Sequence, residues 1–138
     1  LTDDAIEDNQ QTLLILDDVS SQIRLKENEK LLTQLVKNRR HLNLSIWVVT
    51  HKVTDAPPAL RSNANLIFLF KPKTNKEINT IQEEYMMMPK QQADELMKAA
   101  YKDRYDFMLI DTSLRKGSEF LFFRNYNQLI FEQKDKSD

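Results

Sequence analysis

Two neighbouring acids carry the clearest chemical signal in this chain. Residues 12–19 read Thr-Leu-Leu-Ile-Leu-Asp-Asp-Val, four aliphatic residues followed by Asp17 and Asp18. Adjacent carboxylates at the mouth of a hydrophobic strand suit phosphoryl transfer to water. One can hold Mg²⁺ on nucleotide phosphates, commonly through bound water, and the other can orient the attacking water. Asp17 takes the first role in this reading and Asp18 the second. A strand that merely returns to solvent through an acid gives the same pattern, so the assignment needs support from elsewhere in the chain.

The other reactive residue types mostly exclude. There is no cysteine, which removes disulfides, thiolate nucleophiles and cysteine-ligated zinc. His41 and His51 are the two histidines, too few for a histidine-rich metal cluster. Ser20, Ser21 and Ser113 sit in no G-x-S-x-G elbow. The single glycine, Gly117, leaves no loop of the form G-x-x-x-x-G-K-[ST], whose glycines let backbone N–H groups approach phosphates closely. These residues alone therefore do not make a complete P-loop ATPase. A net charge of -1 argues against a polybasic nucleic-acid coat while leaving room for a local basic loop. With 41% hydrophobic against 30% charged residues the composition is globular, and 138 residues suffice for one domain. No apolar run approaches the ~20 residues of a membrane span, and the acidic first ten residues do not read as a signal peptide, so the expectation is a soluble, intracellular protein.

The elements that must position the acids follow from the hydrophobic pattern. The unbroken run before Asp17 reads as a strand buried on both faces, and in open α/β sheets ligands bind outside the carboxyl ends of such strands. A loop over 19–24 leads to a helix over 25–39 with Leu31, Leu32, Leu35 and Val36 on one side. A second strand over 45–50 ends in Thr50 and His51, and a long loop over 52–65, punctuated by Pro57 and Pro58, carries Arg61. Residues 66–70 form a third apolar strand, parallel to the first two in this reading. Lys71 and Lys73 follow, then Thr74 and Glu77 with capping-box spacing, a helix through Ile78, Ile81, Tyr85 and Met88, a break at Pro89, and a second helix with Ala93, Leu96, Met97 and Ala100 inward. A fourth strand over 107–110 ends in Asp111, read as structural. A basic turn through Arg115, Lys116 and Gly117 closes a hairpin with 119–123, and a short strand over 128–131 is the last element. The fold class is thus α/β: a mainly parallel sheet flanked by helices, with a C-terminal antiparallel edge hairpin. An acidic lead-in spans 1–11 and a charged tail 132–138.

Leu-Leu-Ile-Leu-Asp-Asp-Val at 13–19, Arg-His-Leu-Asn-Leu-Ser-Ile at 40–46, the strand ending in Thr50 and His51, and Leu-Arg-Ser-Asn-Ala-Asn at 60–65 closely resemble the genome-packaging ATPases of poxviruses and related large DNA viruses. Those belong to the FtsK/HerA class of P-loop motors, and the order and spacing match over 12–123. The resemblance implies a Walker B strand with Asp17 on the Mg²⁺ side and Asp18 in the water-orienting place usually held by glutamate. It implies that Thr50 and His51 occupy the sensor position, contacting the γ-phosphate or attacking water, where many family members carry glutamine. Arg40 matches the family arginine after the helix, preceded here by Arg39 rather than a small residue. Arg40 and then Arg61 are the arginine-finger candidates. ATP and Mg²⁺ are the implied cofactors. The implied partners are double-stranded DNA held sequence-independently, capsid or membrane-associated virion proteins, and further copies of the protein in a ring, in the virion and in cytoplasmic viral factories. Residues 12–131 would be the C-terminal part of a P-loop NTPase domain whose Walker A half lies N-terminal to Leu1, and this part alone would be inactive. A helicase or DNA-transfer motor of the same class, or a non-catalytic docking module, are the alternatives.

Overall fold

The structure, a computed structural model, describes residues 10–116 and 119–130. Most of the lead-in, the hairpin tip at Gly117 and Ser118, and the end of the chain from Phe131 lie outside the described residues. The chain divides into two compact units, residues 1–64 and 65–138.

In the first unit, β1 (Thr12–Asp17) and β2 (Leu44–Val49) pair in parallel, from Thr12 opposite Leu44 to Asp17 opposite Val49. A short helix, α1 (Ser20–Ile23), and a longer one, α2 (Lys26–Asn38), make the crossover. Glu27 and Glu29 in the first turn of α2 and Lys37 in its last match the helix dipole. The stretch expected as a loop over 19–24 therefore contains α1, and the helix expected over 25–39 is α2. Ile23, Leu32, Val36 and Leu60 form the core, with Leu16, Val19, Ile46 and Val48 packed against it. Fully burying one such aliphatic side chain is worth roughly 1.5–3 kcal/mol.

The expectation of strands buried on both faces is overturned here. Side chains alternate along both strands, and Leu13, Ile15, Trp47 and Val49, on the face away from the helices, are 46–61% exposed. A run of aliphatic residues hides this alternation, because its outward members are as apolar as its inward ones. The loop expected over 52–65 holds a 3₁₀ turn (Val53–Asp55) and a short helix, α3 (Pro58–Asn63), with Pro58 in the first turn, where its missing N–H costs nothing.

The second unit is an antiparallel sheet in the order β3 (Leu66–Phe70), β4 (Phe107–Lys116), β5 (Glu119–Arg124), β6 (Asn127–Gln128). Two helices, α4 (Asn75–Tyr85) and α5 (Lys90–Ala100), connect β3 to β4. The third strand was expected to join the first two in one parallel sheet, and it lies instead in a separate sheet, antiparallel to β4, with Phe70 opposite Phe107 and Leu66 opposite Asp111. The sheet content is thus two parallel and four antiparallel strands rather than mainly parallel. An apolar run carries no information on strand direction, which is set by how the connection returns. The expected C-terminal hairpin is present as β4 and β5, while β6 forms the edge and is shorter than the expected last strand.

Thr74 and Glu77 form the expected capping box at the start of α4. Ile81, Leu96, Met108 and Ile110 are the large side chains most completely enclosed, and α5 lies against β4 and β5. Asp111 lies within β4 rather than at its end. Its carboxylate accepts from the Ser113 amide (2.9 Å) and the Ser113 hydroxyl (2.5 Å), beside the register shift between Asp111 and Arg115. Asp106, 6% exposed, ties the loop before β4 to the end of β5. It accepts from the Lys102 and Asp103 amides, from Arg124 Nε at 2.8 Å and from Asn125 Nδ2 at 3.0 Å. Those donors, led by the Asp103 amide and then Asn125, hold its carboxyl far below the usual carboxylate range.

Candidate functional site

Parallel strands leave their sheet on the same side, so whatever follows β1 meets whatever follows β2. With Asp17 opposite Val49, Asp18 lies level with Thr50. His51 then reaches the acid: its Nε2 lies 3.2 Å from Asp18 Oδ1, and both side chains are 79% exposed. Four of the residues singled out in sequence, Asp17, Asp18, Thr50 and His51, thus gather at one carboxyl edge.

Asp18 has φ of 53°, in the left-handed region. Aspartate and asparagine tolerate this conformation better than other residues bearing a Cβ, because their short polar side chains bond locally. The turn ends β1 abruptly and aims the second carboxylate along the edge toward His51. A glutamate at this position would tolerate the backbone less well, which gives a physical reason for the shorter acid. Asp17, the last residue of β1, is exposed and has no ion pair among the described residues. Thr50 is half-buried, and its hydroxyl donates to the Lys52 carbonyl at 2.9 Å, turning the chain after β2.

Two residues that sequence reasoning passed over brace this edge. Arg24, after α1, donates to Asp55 Oδ1 at 2.7 Å and to the Thr54 carbonyl at 3.4 Å. It therefore ties the segment leaving β1 to the segment leaving β2. Thirty-one positions separate the pair, and nothing local in either stretch signals the contact.

Arg40, the first arginine-finger candidate, stands apart from the acids. Arg40 is exposed in the turn entering β2, at the amino end of a six-residue strand, roughly 20 Å from its carboxyl edge at ~3.3 Å per residue. Arg61, in α3, is half-buried and donates through Nη1 to the Ala56 carbonyl at 2.6 Å. Lys71 and Lys73 are exposed just beyond β3, in the second unit.

The donor set suits Mg²⁺ better than a metal that needs a closed cage. Among the described residues no three His, Cys, Asp or Glu side chains converge. Mg²⁺ retains several waters and takes one or two carboxylates together with substrate phosphates, and an exposed carboxylate without a cationic partner meets that need.

Solved structures share this fold. The genome packaging NTPase B204 from Sulfolobus turreted icosahedral virus 2, in complex with AMP, is similar over 94% of this chain and 64% of its own, with a TM-score of 0.61 at 20% identity. The same NTPase in complex with ATP-gammaS is similar over 78% of this chain and 50% of its own, with a TM-score of 0.56 at 19% identity. Uncharacterized protein 075L of Invertebrate iridescent virus 6 is 27% identical over 116 residues, 83% of this chain. The chain spans 45% of that relative's length, and so under half of it. The sequence model for the poxvirus A32 protein matches residues 2–137, nearly the whole chain, and the chain therefore belongs to the poxvirus A32 protein family.

Proposed function

We propose that this chain is the Walker B part of a viral genome-packaging ATPase, which couples ATP hydrolysis to movement of double-stranded DNA into a capsid. The observation that carries the reading is the meeting of Asp17, Asp18, Thr50 and His51 at the carboxyl edge of a parallel strand pair. Family membership and the likeness to a packaging NTPase support the same class. The phosphate-binding loop would come from polypeptide outside these 138 residues, in keeping with a chain that covers 45% of one relative and 50–64% of the solved NTPase chains. By itself the chain would bind nucleotide weakly and turn over none.

Within the assembled site Asp17 would hold Mg²⁺, through water, on the nucleotide phosphates. The ion would neutralise charge on the transferring phosphoryl group. Asp18 accepts a hydrogen bond from the attacking water and so aligns it with the γ-phosphate. Thr50 and His51 fill the sensor position beside that water. Arg40 is exposed and far from its own acid pair, which suits delivery across a subunit boundary in a homo-oligomeric ring, with Arg61 as the second candidate. Lys71, Lys73, Arg115 and Lys116 would meet DNA phosphates, with affinity independent of sequence and steeply dependent on salt. Capsid or membrane-associated virion proteins would anchor the ring, in the virion and in cytoplasmic viral factories.

Asp18→Asn in the longer polypeptide is the decisive variant. Asparagine tolerates the left-handed backbone as aspartate does and keeps the shape while losing the charge. Turnover should fall by about 10²–10⁴-fold with nucleotide affinity within a few-fold of the parent. Turnover retained within about three-fold would exclude Asp18 as the water-orienting group. The coding sequence upstream of Leu1 should also carry a glycine-rich loop ending in Lys-Ser or Lys-Thr, and its absence would favour a docking module.

A further inference from the structure

We propose that His51 is a positioning residue for hydrolysis, a role that rests on the reading of Asp18 as the water-orienting group. Its imidazole holds one carboxylate oxygen of Asp18 so that the other faces the attacking water. Asp18 enters the edge on a left-handed turn, with φ of 53°, immediately after β1. Its side chain is 79% exposed, and a carboxylate standing in solvent exchanges among staggered rotamers unless a partner holds it. His51 Nε2 lies 3.2 Å from Asp18 Oδ1 and, with the proton on that nitrogen, donates to it. Among the described residues no other side chain bonds the Asp18 carboxylate, so Oδ2 is open to water.

Thr50 stands nearer to Asp18 in register, yet its hydroxyl donates to the Lys52 carbonyl at 2.9 Å and is spent on the turn. His51 is left as the donor. Its backbone is held on both sides. Two residues before it, Val49 is fixed opposite Asp17 in the parallel ladder. Three and four residues after it, Arg24 bonds the Thr54 carbonyl at 3.4 Å and Asp55 Oδ1 at 2.7 Å. Arg24 itself closes α1, the helix that begins two residues past Asp18. The strand pair and this clamp therefore fix where both side chains start, and the imidazole-carboxylate bond closes the loop between them. A bond between two exposed groups does little for the fold. For the reaction it matters more, because a water-orienting group already aimed needs no reorganisation, and a misplacement of about 1 Å can cost about 10²-fold in rate.

The test uses the longer polypeptide, with ATP turnover and equilibrium binding of ATP-gammaS and ADP as separate readouts. His51→Leu removes the donor, whereas His51→Gln places an amide N–H at nearly the reach of Nε2. The leucine variant should lower kcat about 10- to 100-fold, the usual effect of losing an orienting partner, with KM within about three-fold of the parent. The ratio of ATP-gammaS to ADP affinity should stay within about three-fold, and His51→Gln should restore kcat to within about three-fold. Added to Asp18→Asn, His51→Leu should change the residual single-turnover rate by less than about three-fold, because the group it acts through is gone, whereas independent contacts would multiply. The imidazole is 79% exposed, so its replacement leaves the core intact, and unchanged circular dichroism spectra confirm the fold. Parental kcat in His51→Leu, no rescue by His51→Gln, or a further fall of about ten-fold or more on the Asp18→Asn background would each overturn the positioning role alone. So would a lost preference for ATP-gammaS over ADP, since the imidazole would then contact the γ-phosphate. Parental turnover in Asp18→Asn, or a parent that hydrolyses no ATP, would overturn the hydrolytic reading and the positioning role together.

Discussion

The capping box that starts α4 also sets the loop carrying Lys71 and Lys73, and its energy can be worked out bond by bond. Thr74 Oγ1 accepts from the Glu77 amide at 3.3 Å and donates to Glu77 Oε2 at 3.0 Å. That same carboxylate oxygen accepts from the Thr74 and Lys73 amides, both at 3.2 Å. Thr74→Ala removes one acceptor and one donor and should cost about 1 kcal/mol, within the 0.5–2 kcal/mol range of such caps. Thr74→Ser keeps both and should cost little. Glu77→Ala removes a nearly enclosed acceptor, but Lys73 and Thr74 are exposed and water takes over their freed amides, so about 2 kcal/mol is expected. The two side chains share one contact, and the double variant should therefore cost less than the sum by about 0.5–1 kcal/mol. Urea unfolding followed by far-ultraviolet circular dichroism reads these differences. With a denaturant slope of roughly 2 kcal/mol per molar, Thr74→Ala moves the midpoint by about 0.5 M. Strict additivity of the two variants, or a Thr74→Ala midpoint unchanged from the parent, would refute a reciprocal cap.

Acid should unfold the second unit through Asp106. Its folded carboxyl titrates below the ordinary 3.8, so in acid the unfolded chain binds more protons. The contribution is complete above that ordinary value and is lost as pH falls toward the depressed folded value. Asp106→Asn should flatten the acid limb of a stability-against-pH curve measured by circular dichroism. In the core, Leu96 on α5 is 0% exposed, and Leu96→Ala should cost about 2–5 kcal/mol in a urea melt, the spread depending on how far the cavity collapses. At the acid pair, Asp18→Val should destabilise by about 1–2 kcal/mol while Asp18→Gly stays close to the parent, because a β-branched side chain resists the left-handed backbone.

Local chemistry was readable wherever it was written in neighbouring residues. Thr74 and Glu77 announced the capping box, Pro89 the break between α4 and α5, and the spacing of Ala93, Leu96, Met97 and Ala100 the inward face of α5. The place where β1 ends at its acids was legible for the same reason. What stayed hidden was long-range or a matter of direction. Leu66, Phe68 and Phe70 are as apolar as the inward residues between them, so the run concealed both its exposed face and its antiparallel pairing. Asp111 had the look of a strand terminus because the following Thr-Ser-Leu stretch is less apolar, yet the bulge with Ser113 lets β4 continue past it. The Arg24 to Asp55 brace joins segments with no shared periodicity, and only the closed fold brings them together.

The pairing of Asp18 with His51 is weak as a stability term, since both groups stand in solvent and exposed ion pairs contribute at most about 1 kcal/mol. Its geometry is nonetheless tightly specified, and the reason lies on the other side of the sheet. Leu16, Ile46 and Val48 pack against the core of Ile23, Leu32, Val36 and Leu60. A slip of β2 by one residue would turn Ile46 and Val48 to solvent and Trp47 inward, because side chains alternate with a period of two. The slip that would separate His51 from Asp18 is therefore opposed by the partial burial of two aliphatic side chains, each contributing less than the roughly 1.5–3 kcal/mol of full burial. The acid pair borrows its precision from hydrophobic packing, and so substitutions at Ile46 or Val48, which touch neither acid, should disturb the edge where Asp17, Asp18, Thr50 and His51 meet.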